Sequence, residues 1–462
     1  MPLLSTIGAA AARAFGFLKA LVTGGYNVAN SLRFNSGSSD YLNKTLPSPG
    51  GGVYKWTYSF WVKRSILSVD QAVTGAYFSG AFQGRILFRS DDQLEVFDIR
   101  SSSFILQKKT NRKFRDTSAW YHIVISNDNS VASPETEIYV NGVKETSFAT
   151  NNEYSQNETN SFNNNYNNYI GQFGSGDYFN GYISEFYFID GQALDPTDFG
   201  EFDSDTNIWK PKAYTGTFGA NGFYLEFQNS AALGTDSSGN GNTFTVNNLT
   251  SIDQTTDTPT NNFATWNAVS APYSAPTLTE GNLVVTNNSA NWQAAFGTIA
   301  VSKSKWYWEA KCTDATFSFN HGVFDVDANS FGILNPMNVS TGYTGFYNTG
   351  GGQMRKDNAT SGSYGTFANG DIMGIALDMD NKQISIYKNG TIHVSNFAIS
   401  TGCLNVVPCM VTYETGAWQY NFGNPPFTIS SGNSDANGYG NFEYTVPSGY
   451  YALNTKNLAE YA

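Results

Sequence analysis

Three histidines, His122, His321 and His393, are the chain's whole supply of imidazole bases. A nucleophilic hydrolase needs such a base beside its nucleophile. His122 lies inside the strand-like run Trp120-Tyr121-His122-Ile123-Val124-Ile125-Ser126, His321 opens another apolar run, and His393 follows a hairpin, so none is placed for that role. No Gly-x-Ser-x-Gly elbow, Walker loop, dinucleotide fingerprint or His-Glu-x-x-His helix occurs. Paired carboxylates remain, in Glu201-Phe202-Asp203-Ser204-Asp205. Glycoside hydrolysis needs two carboxyls about 5 to 9 Å apart across the scissile bond. This segment follows Pro196 in a loop and reads as a solvated acidic turn, so the expectation is a protein that is not an enzyme.

Two kinds of binding chemistry are better represented. Calcium wants six to eight oxygens, which Asp and Asn side chains and turn carbonyls supply together. Asp236, Asn240 and Asn242, in a glycine-rich turn, are the leading candidates for a calcium cofactor; Asp203-x-Asp205-x-Asn207 and Asp325-x-Asp327-x-Asn329 have similar local chemistry. The same residues also close turns with their own side chains and then need no metal. Saccharides are held by aromatic faces and by amides on their hydroxyls. The stretch Asn151 to Phe173 offers Tyr154, Phe162, Tyr166 and Tyr169 among many asparagines, in a loop, where binding residues concentrate. An Asn-rich spacer that touches a neighbouring subunit, or nothing, is the plainer reading of that loop.

Such groups need a scaffold, and the pattern is of short strands. In Gly370 to Gly390 an apolar run turns at Asp380-Asn381-Lys382, alternates Ile384 and Ile386 with Ser385 and Tyr387, and ends in Asn389-Gly390. Asn-Gly tolerates the positive backbone angles of a two-residue hairpin. Ile138-Tyr139-Val140-Asn141-Gly142 repeats the phrase in the first half. The expected architecture is all-β, with two antiparallel β-sandwich (jelly-roll) domains in tandem behind a short N-terminal helix. Residues 1–30 contain that helix, in which Leu4, Ile7, Leu18 and Leu21 follow a three-four spacing suited to docking or oligomerisation. Arg13 and Lys19 interrupt it, against both a secretory signal and a membrane span. The first sandwich is expected over 31–250, a Thr-, Asp- and Asn-rich linker over 251–262, and the second sandwich over 263–462.

At 462 residues the chain is long enough for two cores. A net charge of −12 argues against nucleic acid and anionic membranes as partners. Cys312, Cys403 and Cys409 are too few and too oddly numbered for a disulfide framework and read as buried small apolar groups.

The first half resembles the laminin-G-like, concanavalin A-type jelly-roll family, through Leu32-Arg33-Phe34-Asn35-Ser36-Gly37, the runs YSFWVKRS, WYHIVIS and IYVNGVKE, and the closing FNGYISEFYFIDGQAL. Ser184 stands where that family often carries an acidic residue, which weakens a metal site there. The Asp236 turn is another phrase common in the family, and calcium at Asp236, Asn240 and Asn242 follows from that resemblance. Some members cleave polysaccharides with paired carboxylates, but the final glutamate of their pattern is missing after Asp205. The second half resembles SPRY domains, through KWYWEAK, HGVFDVDAN, SYGTFANGDIMGIALDMDNKQISIYKNG, NFGNPPF and VPSGYYALN. That resemblance implies a two-sheet sandwich that binds partners through loops and is not an enzyme.

The order of anchor, laminin-G-like domain and SPRY-like domain is similar to that of surface proteins on marine bacteriophage virions. It implies a fibre or spike subunit on the virion surface, made in the host cytoplasm. Its partners would be other virion proteins and a host-surface glycan or protein, in a homo-oligomer such as a trimer. The alternatives are a head or tail decoration protein without receptor binding and, resting on Glu201 and Asp203, a polysaccharide-cleaving enzyme.

Overall fold

The computed structural model describes residues 25–47, 53–174, 176–269, 275–287, 289–316, 318–328, 335–348 and 350–462. The expected N-terminal helix, with Leu4, Ile7, Leu18 and Leu21, lies outside them. The described chain forms two compact units, Gly25–Thr260 and Asn261–Ala462, and both are antiparallel β-sandwiches.

In the first unit one sheet runs β10 (Val143–Lys144), β9 (Glu135–Val140), β8 (Tyr121–Asp128), β3 (Lys55–Arg64), β13 (Gly181–Asp190), β1 (Ser31–Phe34) and β18 (Gln254–Thr255), with β16 (Phe223–Leu225) also on β13. The other runs β11 (Phe148–Asn152), β7 (Ser103–Lys113), β6 (Gln93–Arg100), β5 (Phe82–Phe88), β4 (Gln71–Ser79), β12 (Asn167–Ile170), β2 (Tyr41–Thr45) and β17 (Thr245–Asn247). Successive strand residues point to opposite faces. Trp56, Tyr58, Phe60 and Val62 of β3 therefore meet Leu42, Ile86, Val96 and Ile170 of the opposite sheet in one core. A small hairpin, β14 (Gly200–Phe202) with β15 (Trp209–Pro211), lies apart from both sheets.

The expected linker is not one. Residues 251–260 contain a 3-10 turn, Ser251–Asp253, and then β18, which pairs with β1. Asp257 is fully buried, 2.6 Å from the ammonium of buried Lys63, and it accepts the Trp120 indole N–H at 3.0 Å. A buried lysine requires a paired carboxylate, so this polar stretch is held inside the first sandwich, and the boundary falls between Thr260 and Asn261.

In the second unit an eight-stranded sheet runs β19 (Thr277–Thr279), β20 (Val284–Asn287), β31 (Gly416–Asn421), β22 (Lys305–Asp314), β27 (Ile372–Asp378), β28 (Gln383–Lys388) and β29 (Thr391–Ala398), with β32 (Tyr451–Ala452) parallel to β22. A six-stranded sheet runs β21 (Trp292–Phe296), β30 (Val406–Tyr413), β23 (Ser318–Asp325), β24 (Tyr343–Tyr347), β25 (Gln353–Lys356) and β26 (Ala359–Ser361). Glu309 of β22 is fully buried and accepts the backbone N–H groups of Glu443 and Tyr444, both at 2.9 Å, which ties the C-terminal segment to the sheet.

Both Asn-Gly turns form as read, with φ of 49° and 77° at Asn141 and Gly142 and 48° and 77° at Asn389 and Gly390. Each asparagine also accepts a backbone N–H from the strand next to its hairpin, Asn141 from His122 of β8 and Asn389 from Ile372 of β27, both at 2.8 Å. The sequence reading missed a short C-terminal helix, α1 (Thr455–Tyr461). Asn454 caps it through the N–H of Asn457, and Leu458 is buried.

Candidate functional site

Every second residue of β2, β12, β4 and β5 turns away from the core of the first unit, and register brings these residues side by side. Thr45, Asn167, Tyr77 and Gln83 form one row across the strands; Thr245, Asn43, Tyr169, Gly75 and Arg85 form the next; Asn247 and Tyr41 begin a third. The intervening Leu42 and Ile170 are fully buried beneath, while Tyr41, Asn43, Asn167 and Tyr169 are partly open to solvent.

The segment after β12 folds back over this face. Gly75 makes that possible, because a Cβ there would meet the Phe173 ring at 2.5 Å. Phe173 receives the Arg85 guanidinium at 3.8 Å from its centroid and the Tyr77 ring edge-on at 5.5 Å. Arg85 is held by Asp177 at 2.8 Å, and its Nε and Nη2 donate to Gln83 Oε1 at 3.2 and 2.9 Å. Together with Tyr169 these residues line a groove of about 530 Å³. Beside it Asn247 Nδ2 donates to Asn43 Oδ1 at 2.8 Å, and Asn43 Nδ2 to Asn167 Oδ1 at 3.4 Å. Tyr41 packs between Tyr169 and Tyr178, with centroids 6.1 and 6.4 Å away. Aromatic rings for apolar C–H faces, and amides that both donate and accept for hydroxyls, suit sugar recognition.

Of the four aromatic residues expected to touch a ligand, only Tyr169 lies in the groove. Tyr166 is half-buried at the surface, stacked on exposed Phe78 at 5.2 Å. Tyr154 and Phe162 are core residues and cannot meet a ligand. Tyr154 donates its hydroxyl to buried Asp98 at 2.9 Å, and Phe162 packs against Trp56 at 4.8 Å. The Asn-rich stretch plugs the interior because its amides satisfy buried polar groups: Asn163 Nδ2 donates to Asp190 and Asn221 Nδ2 to Asn163. Burial pushes the Asp98 carboxyl up to about 7, against the hydrogen bonds it accepts from Ser161 and Tyr154.

As arranged, the Asp236 turn does not fit calcium. Asp236 Oδ1 accepts the backbone N–H groups of Tyr224 and Ser238, and Oδ2 accepts the Asn242 backbone N–H and the Ser238 hydroxyl. Carbonyl oxygens only accept. Asn240 and Asn242 must therefore turn nitrogen, not oxygen, toward the carbonyls of Gly219, Ala220 and Gly222. The carboxylate thus does a cation's work with N–H donors.

The other chemical candidates are also occupied. Lys210 bridges Glu201 at 3.3 Å and Asp203 at 3.1 Å. Burial raises the Asp203 pKa, but the hydrogen bonds from Lys210, Thr206 and Asp205 outweigh it and hold the carboxyl at about 2, the wrong direction for a general acid. His122 Nδ1 accepts the Trp209 indole N–H at 3.0 Å, so Nε2 carries the proton and donates to Ser59 at 2.9 Å. That direction is opposite to nucleophile activation. Burial between Trp61 and Trp209 drives its pKa down to about 3. His321 is buried against Tyr420, and His393 meets the Gly365 carbonyl at 3.0 Å.

Sequence reading missed Tyr41, Asn43, Tyr77, Gln83, Arg85, Asp177 and Asn247. The period-two spacing of Tyr41, Asn43 and Thr45, and of Asn167 and Tyr169, placed each set on one face; nothing local said that these strands are neighbours.

Residues 36–198 match the family described as the concanavalin A-like lectin/glucanases superfamily, and residues 305–425 match the SPRY domain. No curated protein matches the chain. Among solved structures, the human HERC1 SPRY domain is 16% identical, covering 30% of this chain and 87% of its own with a TM-score of 0.25. A Bacteroides ovatus protein assigned to carbohydrate binding is 17% identical, covering 48% and 59% with a TM-score of 0.33. A heptameric pentraxin from Limulus polyphemus is 15% identical, covering 37% and 79% with a TM-score of 0.28. The chain thus joins a laminin-G-like, concanavalin A-like sandwich to a SPRY-like sandwich.

Proposed function

We propose that this chain is a non-enzymatic binding protein that recognises a glycan through the outward face of the first sandwich. The observation that carries this reading is the groove bounded by Tyr77, Tyr169 and Phe173 beside the chain of amides Asn247, Asn43 and Asn167. The occupied state of His122, Glu201 and Asp203 supports a role without catalysis.

The setting we propose is the surface of a bacteriophage virion, where a fibre or spike subunit meets host-surface glycan and the N-terminal segment attaches to other virion proteins in a homo-oligomer. The domain order supports this setting. The test is binding of the full chain, labelled, to candidate host cells, with Tyr169→Ala as control. Saturable binding that Tyr169→Ala weakens about tenfold is expected. Equal binding by the variant would move recognition off this face. Absence of binding by folded protein would favour a decoration protein without receptor binding.

A further inference from the structure

We propose that the face takes an extended, uncharged glycan of about four or more sugar units, held along its length and not by a terminal sugar. This rests on the glycan-binding reading above and specifies the ligand. The polar side chains form a diagonal track. It starts at Asn247 on β17, steps to Asn43 on β2 and Asn167 on β12, and reaches Tyr77 on β4; Gln83 beyond it is buried, its amide held by the Gly80 carbonyl and by Arg85. Three strand spacings of about 4.8 Å, with an offset of four residues at about 3.4 Å each, make a diagonal of roughly 20 Å, the length of about four sugar rings in an extended chain.

The chemistry is continuous along the track. The hydrogen bonds from Asn247 to Asn43 and from Asn43 to Asn167 orient all three amides, and neither uses Asn247 Oδ1 or Asn167 Nδ2. An acceptor is thus presented at one end and a donor at the other, which is what successive hydroxyls require. Tyr169 and Tyr77 stand in register beside Asn43 and Asn167, so aromatic faces for the apolar C–H side of a sugar ring lie next to amides for its hydroxyls. Phe173 rests on Gly75, one row aside, and walls the groove without crossing the track.

Charge selects against an acidic ligand. Arg85 is the cation at the groove, and all three of its guanidinium nitrogens are engaged, Nη1 by Asp177 and the other two by Gln83. Asp177 already neutralises the Arg85 charge at 2.8 Å, so a carboxylated or sulfated sugar would compete with that carboxylate.

The experiment is calorimetric titration of the full chain with β-linked glucose and mannose oligomers of two, four and six units, and with a galacturonate tetramer. We expect affinity for at least one neutral series to rise tenfold or more from two units to four and then level. It should change less than twofold between low and high salt, and Asn43→Ala and Asn167→Ala should each remove most of the gain from the longer oligomer while circular dichroism stays unchanged. Length-independent binding, or preference for galacturonate that salt abolishes, overturns this inference and leaves the binding reading standing. Host-cell binding that requires Tyr169, with no binding to either neutral series, also overturns it alone. No binding to cells or oligomers by folded chain overturns both.

Discussion

In the first unit the outward face of the sheet that runs from β11 to β17 keeps Tyr41, Asn43, Asn167 and Tyr169 half in water. In the second unit the outward face of the six-stranded sheet buries Phe296, Phe324, Tyr343 and Val411 against Met337 and Val339 of the 335–341 segment. Both sheets alternate in the same way and both have one face on a core. What differs is the covering. An antiparallel sheet can leave one face wet if that face is polar. The first unit fills the β12, β2 and β17 part of it with amides and tyrosines, and folds Phe173 back over Ala72, Leu87 and Phe97 on the rest. The second fills it with large apolar groups, which become a second core, so its exposed chemistry is displaced to loops and edges. A binding face is therefore defined here as much by what does not cover it as by what it carries.

The largest expected effect tests how the first unit is closed. Asp257→Ala would strand the buried Lys63 ammonium, at a cost of about 3–5 kcal/mol. Thermal unfolding should show the first-unit transition fall sharply and the second-unit transition hold. Restoration of most of the loss by Lys63→Met with Asp257→Leu would show that it came from the uncompensated charge.

Next comes pH, because each unit holds a carboxyl that burial raises to about 7. Burial raises Glu309 from 4.5 to about 7, and Asp98 from 3.8 to about 7. Between those values the native chain keeps a proton that the unfolded chain has lost, so stability falls as pH rises toward 7. The loss is at most about 3 kcal/mol for Glu309. Buried His122 and His321, whose pKa burial lowers to about 3, act in the opposite sense as pH falls below about 6.5, so each carboxyl is read from its variant against the unsubstituted chain at about pH 5 and about pH 7.5. Glu309→Gln should remove the carboxyl's share of the pH dependence from the second transition alone and Asp98→Asn from the first alone; a variant that changed both, or neither, would contradict the assignment.

The covering itself is tested by a crossed pair. Met337→Ala empties part of the sealed face and should cost about 2 kcal/mol or more, lowering the second-unit transition with glycan binding unchanged. Tyr169→Ala should leave both transitions nearly fixed and weaken glycan binding by about 1.4 kcal/mol, which is tenfold. Reversal of either outcome would put the binding surface in the second unit. The smallest effect is expected at the acidic hairpin. Glu201→Gln with Asp203→Asn should change neither glycan affinity nor the mass profile of a polysaccharide incubated with the chain, whereas loss of a measurable hydrolysis would restore the enzymatic reading.

Local order was well represented in the amino-acid string. The Asn141-Gly142 and Asn389-Gly390 hairpins, the alternating strands and the two sandwich families needed only nearest-neighbour rules and motif order, because turn angles and side-chain alternation are set within a few residues. The site was less legible. Tyr154 and Tyr169 sit in one aromatic, amide-rich loop with similar neighbours, yet one donates to Asp98 in the core and the other lines a groove. The Asp236 turn had the oxygens for a cation, but the direction of each amide depends on carbonyls near Gly219 and Gly222. Residues 251–260 had a linker's composition and became a closing strand because Lys63 needed Asp257.

The sequence by itself determined that this chain is all-β, acidic, poor in catalytic constellations and built from two kinds of sandwich, since composition and short-range pattern carry that information. Only the tertiary structure decided which face stays open. Asn247, Asn43, Asn167 and Tyr77 are separated by up to 204 residues along the chain, and they become one track only when strand order and register make each a direct or diagonal neighbour of the next on adjacent strands.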